Sequence, residues 1–150
     1  MMKNNIKIYT KNFILCGIIG WCLECFWTGF SSFCKKDKEL TCHTSYWMFP
    51  IYGLAAFIDP LHQCMRNLPL FLRGTIYTAL IYVVEFTTGC LLGLFHACPW
   101  NYSKAKYNLK GVIRLDYLPA WFGMGLLYEK LLEASTRYFK TGKQAETTHR

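Results

Sequence analysis

The sequence predicts an all-α fold: a polytopic integral membrane protein built as a bundle of about four transmembrane helices, the second of them short or kinked. Three observations predict it. The chain is 53% hydrophobic and 17% aromatic, and its 17% charged residues fall below the roughly 25% of soluble domains. The run from Gly74 to Phe95 carries one charge, Glu85. At 1.5 Å per residue a helix there is roughly 33 Å long, enough for a bilayer core of about 30 Å. The basic residues behind the formal charge of +8 flank such runs and do not gather into a motif. That distribution suits a membrane protein and argues against nucleic acid as a partner.

Taken in order, Lys3, Lys7 and Lys11 precede an apolar run at 13–33 that is broken only by Glu24. The run exceeds the roughly 7 to 15 residues of a signal-peptide core, and Cys34 to Lys38 resembles a flanking stop, so it is expected to stay as the first span. The second span, 46–65, contains Pro50 and is expected to kink at Asp59-Pro60. The third, 74–96, has Arg73 at one end and Trp100 and Tyr102 past the other, as interfacial anchors. The fourth, 115–132, starts at Asp116 and ends near Glu129 and Lys130. A polar tail, 133–150, follows. Glu133 and Arg137 are spaced for one more turn, and disorder is expected from Gly142 onward. All of this makes a single membrane domain.

Spans one and three share a pattern. Gly17, Gly20, Thr28 and Ser31 lie on the helical face of Glu24, and Thr78, Thr88, Gly89 and Gly93 on or beside that of Glu85. Small residues let helices approach and hydroxyls supply hydrogen bonds, so the two faces are expected to look at each other or at a shared cavity. A carboxylate facing lipid costs on the order of 2.5 kcal/mol or more. Arg73 is about 18 Å from Glu85 along the helix, so the carboxyls must be hydrogen-bonded, protonated or facing water. Trp21 and Tyr82, each one turn before its glutamate, are the expected donors. The candidate polar core is therefore Glu24, Glu85, Tyr82, Trp21, Thr28 and Thr88.

The connector from Ala97 to Arg114 is the second candidate surface, through Trp100, Asn101, Tyr102, Asn108 and Arg114. Pro99 is expected to stop the third helix. Aromatic side chains there suit the headgroup layer, and Lys104, Lys106 and Lys110 suit lipid phosphates; ordinary interfacial anchoring is the favoured reading, because aromatics and lysines are routine at that level. Asn108 to Gly111 is expected to turn. Asn101-Tyr102-Ser103 fits the N-glycosylation pattern, expected to be unused so close to the membrane. Cys16, Cys22, Cys25 and Cys90 fall within spans and read as small hydrophobes. Cys34, Cys42, His43, His96 and Cys98 are expected on one membrane face, too irregularly spaced to mark a zinc site, while a disulfide among the cysteines stays open. There is no catalytic motif and no glycine-rich phosphate loop, so neither an enzyme nor a cofactor is expected.

Several strings carry a resemblance: Leu72-Arg73, Ile76-Tyr77-Thr78, Glu85-Phe86-Thr87-Thr88-Gly89, Cys98-Pro99-Trp100-Asn101-Tyr102-Ser103 and Gly111-Val112-Ile113-Arg114-Leu115-Asp116-Tyr117. In that order, between Pro69 and Leu131, they resemble the transmembrane protein 229 family of animals. A looser likeness reaches bacterial membrane proteins of the type IV ABC-transporter, CmpB-like class. The amino-terminal half matches more thinly, through Gly20, Glu24, Phe49, Ile51, Tyr52 and Gly53. The resemblance implies a multi-pass membrane protein without an established activity. Asn101 stands where the family usually has Asp and Asp116 where it often has Glu; the first departure removes a charge and weakens cation binding at position 101.

Two functions stay open. One is a structural or accessory membrane subunit. The other is a transporter or channel component that uses Glu24 and Glu85 for protons or cations; as a permease it would need a nucleotide-binding partner. The expected partners are the lipid bilayer, further copies of the chain or other membrane subunits. Of the 17 Lys and Arg, ten fall with the two termini and the 65–73 connector when Lys130 at the end of the fourth span is counted with the tail, so both termini are expected in the cytoplasm.

Overall fold

The computed structural model describes the backbone of residues 2–148 and side chains from Ile6 to Phe139. The fold is all-helical apart from one small hairpin. In order come α1 (Met2–Cys34), α2 (Met48–Gly53), a 3₁₀ turn (Leu54–Phe57), α3 (Ile58–Cys64), α4 (Leu70–Leu94), strands β1 (Asn108–Leu109) and β2 (Ile113–Arg114), a second 3₁₀ turn (Leu115–Tyr117) and α5 (Leu118–Thr148). The chain divides into two compact units, Met1–Ala56 and Phe57–Arg150.

In the first unit α1 packs on α2 through glycines. A Cβ at Gly20 would lie 2.1 Å from Tyr52, one at Gly17 2.8 Å from Phe49, and one at Gly53 2.6 Å from Phe13. These three contacts need the missing side chains. α1 ends in a Schellman turn: Lys36 is left-handed (φ 59°), Asp37 N–H donates to Ser32 O and Lys36 N–H to Phe33 O.

In the second unit α4 packs on α5. Gly74 lies under the ring of Phe122, and a Cβ on Gly125 would stand 2.6 Å from Tyr77 Cβ. α3 is tied to α5 by Thr136, whose hydroxyl donates to Asp59 at 3.2 Å. The hairpin pairs Asn108 with Arg114 and Leu109 with Ile113, and its turn holds Lys110 and Gly111 at positive φ. The expected turn at Asn108 to Gly111 is there, closed by the Asn108 amide oxygen accepting from Gly111 N–H at 2.9 Å.

Several expected boundaries move. The interruption in 48–64 is the 3₁₀ turn at Leu54–Phe57, not a kink at Asp59-Pro60, and Pro60 falls in the first turn of α3. Proline has no N–H for the carbonyl four residues back, so the α ladder fails upstream of it. α4 stops at Leu94, before Pro99, in a second Schellman turn: His96 is left-handed (φ 52°) and Ala97 N–H donates to Leu92 O at 2.9 Å. α5 runs helical past Gly142 to Thr148, so no break occurs at that glycine; Glu133 contacts Lys130 and Arg137 at helical spacing, which supports the added turns.

Two helices, α1 from Ile6 and α4, are long and apolar enough to cross a membrane. The 48–64 stretch is short, at roughly 25 Å. The middle of α5 carries Glu129, Lys130 and Glu133.

Candidate functional site

Among the described residues three carboxylates are buried, Glu129, Asp59 and Glu85, and Glu24 is half-buried; each has different surroundings. The most enclosed is Glu129 on α5, whose side chain is fully buried. Arg73, in the first turn of α4, donates from Nε to Oε2 at 2.9 Å and from an Nη to Oε1 at 3.0 Å. One turn later Tyr77 donates its hydroxyl to Oε2 at 2.8 Å. His62 of α3 brings Nδ1 to 3.1 Å from the same oxygen. The guanidinium also donates to Leu68 O at 2.7 Å. Three helices thus meet on one carboxylate, and both its oxygens are occupied. A fork-shaped guanidinium on a carboxylate fixes orientation as well as charge. Such a centre holds helices together.

Glu85, four turns into α4, is also buried. Tyr102 of the connector and Trp121 of α5 flank its carboxyl. Oε2 and the Trp121 indole nitrogen are nevertheless both buried without a hydrogen-bond partner among the described residues. No Lys or Arg pairs with it there. Beside this group Arg114 stacks over Tyr117, 4.3 Å from the ring centroid, and forms an ion pair with Asp116. That pair holds the Asp116 carboxyl below its ordinary range, and burial pushes the Tyr102 hydroxyl above its own, so it stays a donor.

Glu24 is half-buried in the first unit and accepts from the Thr44 hydroxyl at 2.6 Å. Its polar stripe has a plain use. Trp21 donates to Ser45 O at 2.9 Å, Thr28 accepts from His43 N–H at 2.9 Å, and Ser32 donates to Thr41 O at 2.8 Å. One face of α1 thereby binds the returning strand of residues 41–45.

The expected donors therefore have other partners. Trp21 serves Ser45, and Tyr82 donates to Arg114 O and Leu115 O at 2.9 and 3.2 Å. Both rings reach past their own helix, because a side chain one turn before a glutamate serves a neighbouring loop as easily. Thr88 bonds back to Val84 O at 2.7 Å, in its own helix. Most of each small-residue stripe is filled from inside its own unit, Gly17 and Gly20 by Phe49 and Tyr52 and Gly89 by Val112 and Trp100, while Gly93 at the edge of the second stays open.

The connector residues do come together. Trp100 donates to Val112 O at 2.9 Å, Tyr102 N–H to Gly111 O at 2.8 Å, and the Asn108 amide to Ala105 O at 2.6 Å. Asn101 accepts from Ser103 N–H at 2.9 Å. All eight cysteines are free. Cys42 meets Cys25 of α1, a neighbour that the expected common membrane face did not include. Sequence reasoning missed the centre at Glu129 and its partners Arg73, Tyr77 and His62. The available signal was Arg73 and Tyr77 at i, i+4, a basic and a phenolic donor on one helix face.

The profile of the family described as "Putative ABC-transporter type IV" matches residues 11–148. The chain belongs to that family. The match takes in α1 from Lys11 onward, α2 to α5, and the carboxylates Glu24, Glu85 and Glu129. Membership and the two apolar helices together support a membrane protein. No solved structure matches the chain.

Proposed function

We propose that the protein is a multi-pass membrane protein serving as a structural or accessory subunit of a membrane assembly, and that within its family it stands with the transmembrane protein 229 group. The observation that carries the role is the Glu129 centre, where the most enclosed carboxylate is spent on joining α3, α4 and α5. Large apolar side chains meanwhile point outward from α1 and α4: Phe26, Phe30, Phe71 and Leu94 are all more than half exposed. Outward-facing side chains of this kind suit lipid or the helices of other subunits.

Four passes fit the chain: α1, the short stretch 48–64, α4 and the first half of α5, with both termini cytoplasmic by the balance of basic residues. Protease or tag-accessibility mapping tests the topology. Termini on opposite sides would overturn it.

Glu85 favours a second reading, because a buried carboxyl oxygen without a partner is what a proton- or cation-handling transport component offers. The family's description points the same way, and with no phosphate loop in the chain the ATPase would be a separate subunit. Purification in mild detergent with identification of copurifying subunits, followed by Glu24→Gln and Glu85→Gln, separates the two. An accessory subunit leaves the assembly active in both variants. Loss of proton- or cation-coupled flux supports the transport reading instead.

A further inference from the structure

At the end of α4 the last helical turns and the hairpin line a shallow, open cavity of about 320 Å³. Its helix side is Gly89 and Gly93, and its loop side brings His96, Asn101, Ser103 and Lys110 to the same space. A methyl group on Gly93 would meet nothing within 4 Å, so the groove stays open along the helix; neighbouring Leu94 is 78% exposed. The loop side is shaped by the turn at Lys110 and Gly111, both left-handed. Gly111 cannot carry a side chain, since a Cβ would lie 2.4 Å from Ser103 Oγ. The turn brings the Lys110 ammonium over Phe86, 5.8 Å from the ring centroid. Phe86, Gly89 and Gly93 share one face of α4.

The charge around this cavity is of one sign. From Phe86 to Leu115 the chain contains no Asp or Glu, yet it contains Lys104, Lys106, Lys110 and Arg114. Arg114 is neutralised by Asp116, and no carboxylate pairs with the three lysines among the described residues. A polar, basic pocket opening onto an apolar helix end has the chemistry of a phosphodiester attached to hydrocarbon. A free phosphate would use the basic wall and leave the glycine groove and the exposed leucine without a role.

We propose that this cavity binds one anionic phospholipid from the bilayer. Lys110 supplies the counter-charge, Ser103, Asn101 and His96 supply hydrogen bonds to the phosphate, and the first acyl carbons run past Gly93. The site rests on α4 crossing a bilayer and does not depend on which assembly the protein serves. A helix end is the level at which headgroups lie, and a lysine that meets the bound headgroup contributes roughly fivefold to its binding.

The test is lipid retention by the full chain, extracted in mild detergent from membranes holding equal phosphatidylglycerol and phosphatidylcholine and read by native mass spectrometry. Wild type should keep phosphatidylglycerol in preference to phosphatidylcholine. Lys110→Gln, and Gly93→Leu, whose Cβ meets nothing within 4 Å and whose longer side chain takes up the groove, should each lower retention by about fivefold or more. Lys104→Gln, outside the cavity, should not. If Gly93→Leu fails to fold, Lys110→Gln with Ser103→Ala decides the matter against the same control. Equal loss in Lys104→Gln would show general surface attraction, and equal retention of phosphatidylcholine would remove the anionic preference; either overturns the site. Inorganic phosphate that binds in a Lys110-dependent way and is not displaced by phosphatidylglycerol would overturn the lipid as its source. Copurifying subunits and flux are separate readouts, so the accessory role can fail while this site stands, and the reverse.

Discussion

Arg73 and Glu129, 56 residues apart in sequence, form a two-pronged ion pair in which Nε and an Nη of the arginine reach both carboxylate oxygens. The glutamate side chain is fully buried and the arginine 12% exposed. Removing one partner leaves the other charge enclosed without compensation, a larger loss than removing both. Glu129→Leu should lower the melting temperature in detergent by on the order of 10 °C, and adding Arg73→Met should recover part of it. The check is a double-mutant cycle of thermal melts. Additive losses would mean that the two side chains do not depend on each other.

Tyr77 tests the same centre more gently. Its hydroxyl is one of several groups on Glu129, and Arg73 remains when it is lost. Tyr77→Phe should cost about 1.5 kcal/mol. The melt should therefore fall between wild type and Glu129→Leu.

Glu85 should behave differently from Glu129, because no cation pairs with it among the described residues. Glu85→Gln keeps shape and polarity while removing the option of charge, and should melt within a few degrees of wild type. Glu85→Leu takes the carboxyl away from the Tyr102 hydroxyl and should be worse by about 2 kcal/mol. Thermal shifts of the two variants side by side decide this. Equal stability would show that the carboxyl makes no polar contact worth keeping.

The glycines separate packing from mere smallness. Gly125→Ala places a methyl 2.6 Å from Tyr77 Cβ, an atom with no freedom to swing away, whereas Gly123→Ala meets nothing within 4 Å. The first should cost about 1–3 kcal/mol and the second should be neutral or slightly stabilising. Matched melts are sufficient. Equal values would mean that α4 and α5 do not pack at this glycine.

Cys42 meets Cys25, so oxidation with copper phenanthroline should join those two before either reaches Cys34. Peptide mapping of the oxidised chain reports the pairing. A Cys34–Cys42 bond as the main product would mean that residues 41–45 do not lie along α1 as described.

Much of the local architecture is legible in the sequence, because helix and turn signals are local. The long runs of α1 and α4, with few charges inside them, mark two helices by length and hydropathy alone. Asn108 to Gly111 reads as a turn because the Asn side chain and glycine are suited to one, and Gly17 and Gly20 read as a close-approach surface because only small residues permit one. What filled that surface was not readable. Phe49 and Tyr52 lie some thirty residues on, and the polar face of Trp21, Glu24, Thr28 and Ser32 met the returning 41–45 strand, a partner with no periodicity to announce it. Arg73 looked like an interfacial anchor for the same reason. Its partner depends on which turn of α5 lies beside the first turn of α4, and that register is set by Phe122 over Gly74 and Tyr77 over Gly125. Spacing along a helix says which side chains share a face; only the packing of one helix on another decides which charge that face meets.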